Sequence, residues 1–216
     1  MGCCEDDSAN TTELPSLLRD LPDDVRVIRR VAFSSLRHAE ILSSEELPLR
    51  TGLDDHAVNA ALRWLTDAGL VERDAEGRVV GIAGLTLKPT THRLVLDDQG
   101  LYTWCAIEAI GIPAALSLDA QVTSSCAHCG ESLLVHVDHG EPPADSPLRG
   151  WVPPTECGNV RADLCPLANL FCSLEHLEEW RTGAGKPPGH VADLDRFAEL
   201  GRQAWGDLAP KESQLV

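Results

Sequence analysis

Basic side chains are scarce in this 216-residue chain, which has 18 lysines and arginines against 34 aspartates and glutamates. The net charge of −16 gives the chain no general electrostatic attraction for nucleic acids or anionic membranes, and we predict that neither is a partner. The rest of the composition, 43% hydrophobic and 24% charged, is typical of a soluble globular protein. The length suits one sizeable domain, or a small domain joined to a medium one.

Long apolar segments are lacking as well. The chain turns acidic directly after Cys3 and Cys4, and no part of it resembles a signal peptide or a membrane span. This pattern predicts a cytoplasmic location. In that compartment, the eight cysteines of the chain do not form a disulfide framework and instead indicate reduced thiols used for metal binding or catalysis.

The first part of the chain is predicted to be helical. Residues 1–22 are interpreted as an acidic tail followed by a short helix. Residues 23–82 contain three predicted helices and then a hairpin around Glu76 and Gly77, which is the element order of a winged helix-turn-helix. Between positions 26 and 82 there are eight arginines, no lysine and nine acids, so no basic face for DNA is expected. A structural helper domain is favoured over a DNA-binding domain.

Residues 83–216 are predicted to form a second domain of strands and helices. The sequence predicts two short strands across a proline turn at 84–96, a strand pair at 120–123 and 132–137, a short strand at 159–164, and a last helix at 191–205.

A mostly apolar stretch at 101–110 is predicted to form a helix that ends at 111–113. At 3.6 residues per turn, Cys105 and Glu108 would share one face of this helix. A thiol beside an acid in an apolar wall is costly unless it has a function. The alternative is a buried core cysteine next to a glutamate that points into solvent.

Three groups of residues resemble the alkylmercury (organomercurial) lyase family. They are Trp104-Cys105-Ala106-Ile107-Glu108, the preceding residues 84–93 with Gly84, Pro89 and His92, and the downstream residues 160–180 with Cys165, Ser173 and Trp180. The resemblance implies an α+β fold, with a winged-helix-like N-terminal domain at 23–82 followed by a mixed β-sheet with packed helices. Residues 83–216 would then be the catalytic alkylmercury lyase domain.

The resemblance also implies an activity, namely cleavage of the carbon–mercury bond by protonation to give a hydrocarbon and Hg(II). Two cysteines and an aspartate do this work in the family, and they fall on Cys105, Cys165 and Glu108. Position 108 departs from the usual aspartate, since glutamate reaches one methylene further. The residue types suit the chemistry, because thiolates are the softest protein ligands for mercury and a buried carboxylic acid keeps its proton near neutral pH. No cofactor is expected for catalysis.

A second group of thiols follows the spacing of a metal site. Cys126 and Cys129 form a Cys-x-x-Cys-Gly sequence, and Cys172 and His176 lie downstream. Two cysteines with a further Cys/His pair can hold a tetrahedral structural zinc. Free buried thiols or a redox pair are the alternatives.

The predicted partners are an organomercurial substrate, small thiols and a mercuric reductase that would receive Hg(II). Two other functions stay open at this point. One is a metal-responsive winged-helix transcription regulator, and the other is a non-catalytic carrier of thiophilic metals with the same fold. Cys3 and Cys4 could pass Hg(II) onward or belong to a loose tail, and Cys157 has no assigned role.

Overall fold

The computed structural model describes Leu18 and residues 20–154 and 158–209. The predicted tail and short helix at 1–22 therefore lie mostly outside the described residues, as do Cys3, Cys4 and Cys157. Within the described ranges, no helix is both long enough and apolar enough to cross a membrane.

Three helices come first: α1 (Asp23–Arg37), α2 (Leu47–Thr51) and α3 (Asp55–Asp67). The residues at the ends of these helices explain where each one begins or ends. Two aspartates occupy the first turn of α1, the left-handed Gly52 ends α2, and the Asp54 side chain accepts the Ala57 N–H at 2.8 Å to cap α3. The predicted hairpin follows, so the helix, helix, helix, hairpin order of residues 23–82 is confirmed.

A seven-stranded sheet forms the centre of the molecule, in the order β1-β2-β3-β5-β4-β6-β7. Its strands are β1 (Val71–Arg73), β2 (Val79–Ile82), β3 (Leu85–Thr86), β4 (His92–Leu96), β5 (Gln99–Thr103), β6 (Ala120–Ser125) and β7 (Ser132–Val137). Every described pairing is antiparallel, so the predicted mixed sheet is wrong. Four of the six pairs in this sheet join consecutive strands by short connections, as antiparallel strands allow. Because β2 pairs with β3, the sheet is continuous across positions 82 and 83.

Helix α4 (Ala106–Leu116) follows β5, and it starts later than predicted. Leu101 and Thr103 pair with β4 and β3, so the predicted helix at 101–110 is wrong for its first part. The apolar run there reflects a strand buried in the sheet, which periodicity does not separate from a buried helix. The helix also continues beyond Gly111 and includes Pro113, whereas the sequence predicts its end there.

Helix α4 is buried along its whole length and packs against the last helix, α6 (Leu194–Trp205). The two helices cross at a pair of glycines. A Cβ on Gly111 would lie 2.7 Å from the Gly201 Cα, and a Cβ on Gly201 would overlap the Gly111 backbone. The glycines are therefore required for the close approach that places α4 in the core.

A smaller three-stranded sheet, in the order β10-β8-β9, lies in the C-terminal part. Its elements and their neighbours are β8 (Arg149–Val152), a π-helical turn (Val160–Leu164), β9 (Leu170–Phe171), α5 (Leu174–Gly183) and β10 (His190–Ala192). The predicted strand at 159–164 is wrong, because the Asn159 side chain caps a helical turn there by accepting the Ala162 N–H at 2.9 Å. The last helix begins at Leu194, since residues 190–192 pair with β8.

The burial of His92 predicts how the free energy of unfolding depends on pH. Its ring is buried, its Nδ1 lies 2.8 Å from the Ser124 hydroxyl, and burial lowers the pKa of the imidazole to about 4. In the unfolded chain the imidazole takes up its proton near pH 6.5, whereas the folded chain holds it neutral down to about pH 4. The contribution of His92 to the free energy of unfolding is therefore fully present above pH 6.5 and is lost as the pH falls towards 4. We expect the free energy of unfolding to fall by about 3 kcal/mol between pH 7 and pH 4 because of His92.

Urea unfolding of the wild type and of His92→Asn at the two pH values measures this effect. The variant starts less stable at pH 7 but loses less stability on acidification, while a control change at the exposed His136 on β7 leaves the wild-type difference intact. An equal loss in wild type and His92→Asn would contradict the assignment.

Candidate active site

Cys105 is placed by the junction between β5 and α4. Its backbone is extended and it forms the N-cap of the helix, with its Sγ accepting the N–H of Glu108. The Glu108 carboxylate reaches back and accepts the Cys105 N–H at 2.8 Å. This reciprocal arrangement is a capping box in which a cysteine stands in the usual place of serine or threonine. The predicted proximity of Cys105 and Glu108 is therefore present, although it arises from the cap and not from one face of a continuous helix.

Cys165 is placed by the π-helical turn that precedes it. The Val160 N–H donates to the Ala68 carbonyl at 2.9 Å, and the Asn159 amide donates to the Asp67 carbonyl at 3.0 Å. These bonds dock the turn on the end of α3, where a Cβ on Gly69 would overlap the Asn159 side chain. Segments of this irregular type are common at functional sites.

The structure brings the three predicted catalytic side chains together. The two thiol sulfurs and a carboxylate oxygen of Glu108 all lie within 4.8 Å of one another, and the Cys165 thiol donates to Glu108 Oε1 at 3.7 Å. Cys105, Glu108 and Cys165 are 1%, 3% and 6% exposed. The alternative of a glutamate that points into solvent is therefore wrong.

Burial and mutual contact set the protonation of this trio. Burial, together with the nearby Cys105, raises the pKa of Glu108 well above its usual value. Burial would raise the pKa of Cys105 too, but hydrogen bonds from Cys165 and from the backbone N–H groups at the start of α4 lower it. The hydrogen bond with Cys105, burial and the charge of Glu108 raise the pKa of Cys165. These shifts favour the thiolate form of Cys105 and the protonated forms of Glu108 and Cys165.

Cys105 and Glu108 line an apolar pocket, and Cys165 directly follows Leu164, which also lines it. Besides the reactive groups, its walls include Ile107, Leu164 and Trp205. Two other large apolar residues near the reactive pair in sequence lie elsewhere: Ile112 is buried in the core, and the Trp104 indole N–H points to Glu72 Oε2 at 3.3 Å. Of Trp104, Ile107 and Ile112, only Ile107 lines the pocket.

Gly84 and Trp205 support the acid, and the sequence alone does not assign them this part. Gly84 has φ +96° in the turn between β2 and β3, and a Cβ there would lie 2.9 Å from Glu108 Cγ. The Trp205 indole N–H donates to the Ala83 carbonyl at 2.7 Å and so fastens this turn to α6. The signal available in the sequence was a glycine between two short strands, which indicates a turn but not the group it faces.

The second predicted cluster also comes together. One ligand atom from each of Cys126, Cys129, Cys172 and His176 lies within 4.8 Å of the other three. Burial raises the pKa of Cys126, but hydrogen bonds from backbone N–H groups around it, and from His176, lower it to about 6. This cluster shares no residue with the trio of Cys105, Glu108 and Cys165, and it contains a histidine but no carboxyl group.

The buried trio defines a class of site in which two thiols and a carboxyl group meet beside an apolar pocket. Residues 85–206 match the sequence model of the alkylmercury lyase family, a range that contains all three groups. The chain is 30% identical over 176 residues to an alkylmercury lyase of Staphylococcus epidermidis, covering 80% of this chain and 79% of that protein. It is 29% identical over 183 residues to an alkylmercury lyase of Bacillus cereus, covering 83% of this chain and 81% of that protein.

A solved structure agrees with these similarities. The crystal structure of the mercury-bound form of MerB2 superposes with a TM-score of 0.82 at 27% identity, covering 90% of this chain and 96% of that one. The chain therefore belongs to the alkylmercury lyase family and is an enzyme of that class. The similarities lend no support to the alternatives of a transcription regulator or a non-catalytic metal carrier.

Proposed function

We propose that Cys105, Glu108 and Cys165 carry out the family reaction, in which the carbon–mercury bond of an organomercurial is cleaved by protonation. The observation that supports this assignment is the convergence of two buried thiol sulfurs and one buried carboxyl oxygen within 4.8 Å, at the wall of an apolar pocket that Cys105 and Glu108 line. A soft metal needs the sulfurs, and a carbon leaving group needs the proton.

The first step is capture of the substrate by Cys105. Its lowered pKa favours the thiolate, and helix N-termini stabilise negative charge at this position. The thiolate displaces the small thiolate that the organomercurial carries in solution, and an S–Hg bond forms as another breaks. The organic group then lies against the apolar wall formed by Ile107, Leu164 and Trp205.

The second step is attack by Cys165 and protonation of carbon. Sulfur of Cys165 binds mercury and pushes electron density onto carbon, while the carboxylic acid of Glu108 gives its proton to that carbon. The hydrocarbon leaves, and Hg(II) remains between the two sulfurs. The thiol proton of Cys165 passes to the carboxylate, 3.7 Å away, so the acid is restored and the proton balance is closed. The raised pKa of Glu108 keeps it able to donate near neutral pH.

Release of Hg(II) completes the cycle. One small thiolate and one small thiol replace the sulfurs of Cys105 and Cys165 on Hg(II); the proton of the small thiol passes to Cys165, and Cys105 is left as the thiolate. We propose that the ion is then passed to a mercuric reductase. Reduced small thiols are available in the cytoplasm, which agrees with the predicted location.

We further propose that residues 23–82 form a winged-helix-like unit and residues 83–216 the catalytic domain. In support, α1 to α3 are followed by the β1–β2 hairpin, and Leu42 bridges to Val79 as an additional strand position. The role of this unit is structural. Its α3 end receives the π-helical turn before Cys165, and β1 carries Glu72, which contacts Thr86 at 2.9 Å and Trp104 at 3.3 Å.

The direct test is to incubate the purified chain with phenylmercury and an excess of small thiol, and to measure benzene. We expect catalytic release of benzene and, in a parallel mobility-shift assay, no shift of DNA. Stoichiometric mercury binding without benzene would favour the carrier, and a mercury-dependent DNA shift would favour the regulator.

Gly84→Ala tests the support of the acid. The new Cβ would press on Glu108 and would occupy a backbone conformation with φ +96°, which costs about 1–2 kcal/mol of stability. Because the carboxyl must move, we expect benzene release to fall by about tenfold or more.

The matched control is Gly183→Ala at the end of α5, where a Cβ meets nothing within 4 Å and neither stability nor turnover should fall. Thermal unfolding and turnover are measured on both variants. Wild-type turnover in a folded Gly84→Ala would show that Glu108 does not depend on this contact.

A further inference from the structure

Four metal-binding side chains outside the pocket meet where two parts of the fold touch. Cys126 and Cys129 belong to the turn between β6 and β7, Cys172 follows β9, and His176 lies in the first turn of α5. Cys126 is buried, Cys129 is exposed, and Cys172 and His176 are half-buried. The proposed carbon–mercury chemistry uses none of them.

Backbone hydrogen bonds hold the residues of this cluster in position. The Cys126 N–H donates to the Glu131 carbonyl at 2.8 Å, and the Gly130 N–H donates back to the Cys126 carbonyl at 2.9 Å. With Gly130 at φ +76°, the chain folds into a tight turn that holds both sulfurs on one side. The Ala127 N–H donates to the Leu170 carbonyl at 3.0 Å, which ties this turn to β9.

His176 is held in place as well. The Ser173 hydroxyl caps α5 by accepting the His176 N–H at 3.2 Å. His176 Nδ1 lies 2.8 Å from the Cys172 sulfur and 3.9 Å from the Cys126 sulfur. The imidazole therefore points Nδ1 at the sulfurs, as a metal ligand does.

The distance between the Cys129 and Cys172 sulfurs suits a tetrahedral ion. With Zn–S bonds of about 2.3 Å, the edges of a tetrahedron measure about 3.7 Å. The Cys129 and Cys172 sulfurs are 3.9 Å apart, and no pair among the four ligand atoms exceeds 4.8 Å. Three thiolates and a neutral imidazole form one of the usual zinc sets, whereas Hg(II) favours two sulfurs in line.

A second layer of side chains surrounds the histidine. His128 Nε2 lies 2.9 Å from a Glu179 carboxylate oxygen, and one ligand atom each of His128, His176 and Glu179 falls within 4.8 Å of the others. The His128 and His176 rings contact each other with their centroids 5.0 Å apart, so the His128–Glu179 pair lies directly beside the cluster.

We propose that Cys126, Cys129, Cys172 and His176 bind one structural zinc ion. All four positions are filled by protein, so the ion has no open site for substrate. It joins the β6–β7 turn of the large sheet to β9 and α5. Cys172 is seven residues after Cys165, and between them the Ala168 carbonyl accepts the Ala106 N–H at 3.0 Å. The ion thereby also anchors the far end of the segment that carries Cys165.

The test uses the full chain, produced with zinc in the medium and purified under reducing conditions without chelator. Elemental analysis should find about one zinc per chain in the wild type, and about fivefold less or lower in Cys129→Ser. Cys105→Ser is the matched control, because it removes a thiol from the pocket and should keep the zinc. Loss of zinc should lower Tm by about 10 °C or more, since structural zinc contributes folding free energy.

A second measurement covers the case in which Cys129→Ser does not fold. Wild-type chain refolded with Co(II) should develop the visible absorption of tetrahedral thiolate-bound cobalt and saturate at about one equivalent, and zinc should abolish it. The double change Cys105→Ser with Cys165→Ser should give the same spectrum. Folded wild type with less than about a tenth of an equivalent of zinc and no cobalt spectrum would overturn the proposal. A Cys129–Cys172 disulfide in the chain as purified would also overturn it.

Discussion

Cys165→Ser is expected to stop turnover while leaving the fold intact. A single thiolate binds an organomercurial as an unreactive linear species, and the second sulfur is what transfers electron density to carbon. We expect benzene release from phenylmercury to fall by at least ~1,000-fold, as when a nucleophile is removed from a catalytic group that acts as a unit. The serine hydroxyl fits the same space at the end of the π-helical turn, so circular dichroism and Tm should stay close to wild type.

A binding measurement separates this result from simple damage to the site. Mass spectrometry of Cys165→Ser should detect one phenylmercury per chain on Cys105. Cys105→Ser should capture it poorly, because burial and Glu108 still raise the pKa of the remaining Cys165 thiol after Cys105 is removed. A folded Cys165→Ser with turnover near that of the wild type would remove Cys165 from the mechanism.

Glu108→Gln is expected to separate mercury binding from carbon–mercury cleavage. The amide keeps the size of the side chain and can still accept the Cys105 N–H, but it cannot deliver a proton. Organomercurial capture by the two cysteines should persist while cleavage falls by at least ~100-fold, the lower end of what a positioned general acid supplies. Glu108→Asp restores the residue that the family usually carries and should retain activity.

The pH profile gives the second measurement for Glu108. The raised pKa of this carboxyl means that the donor form is present at neutral pH and is lost as the pH rises through that pKa. Cleavage by the wild type should therefore decline in alkaline solution, and this decline should be absent from the residual activity of Glu108→Gln. The control is Glu175→Gln in the first turn of α5, where the side chain is exposed and turnover should not change.

If Glu108→Gln cleaved the carbon–mercury bond at the wild-type rate, the proton would come from solvent or from another acid. The Cys165 thiol, which donates to Glu108 Oε1 at 3.7 Å, would be the next candidate.

Prediction from sequence succeeded where the pattern is local. Alternating apolar residues at 132–137 produce strand β7 with alternate side chains buried, and Asp54 caps α3 because its carboxylate is three residues from an otherwise unpaired N–H. Such features depend on neighbours in the chain, and they gave the order of elements through residue 82.

Prediction failed where distant contacts outweigh a local pattern. Residues 101–103 belong to a central strand because β3 and β4 lie on either side of β5. Residues 160–164 form a helical turn because backbone carbonyls at the end of α3 accept hydrogen bonds from its start. Helix α4 runs through Pro113 because its buried, glycine-based packing against α6 stabilises it. Each outcome depends on a partner far away in the sequence.

By itself, the sequence determined the kinds of reactive group that this protein has and the family that it resembles: two separated thiols, a carboxyl three residues after the first, and a second Cys/His set. Only the tertiary structure decided that Cys165, 57 residues beyond Glu108, donates to that acid, and that Gly84 and Trp205 support it. The physical reason is that pKa values and proton transfer depend on distances of a few ångströms and on burial. Chain folding sets both through contacts between residues that the sequence keeps far apart.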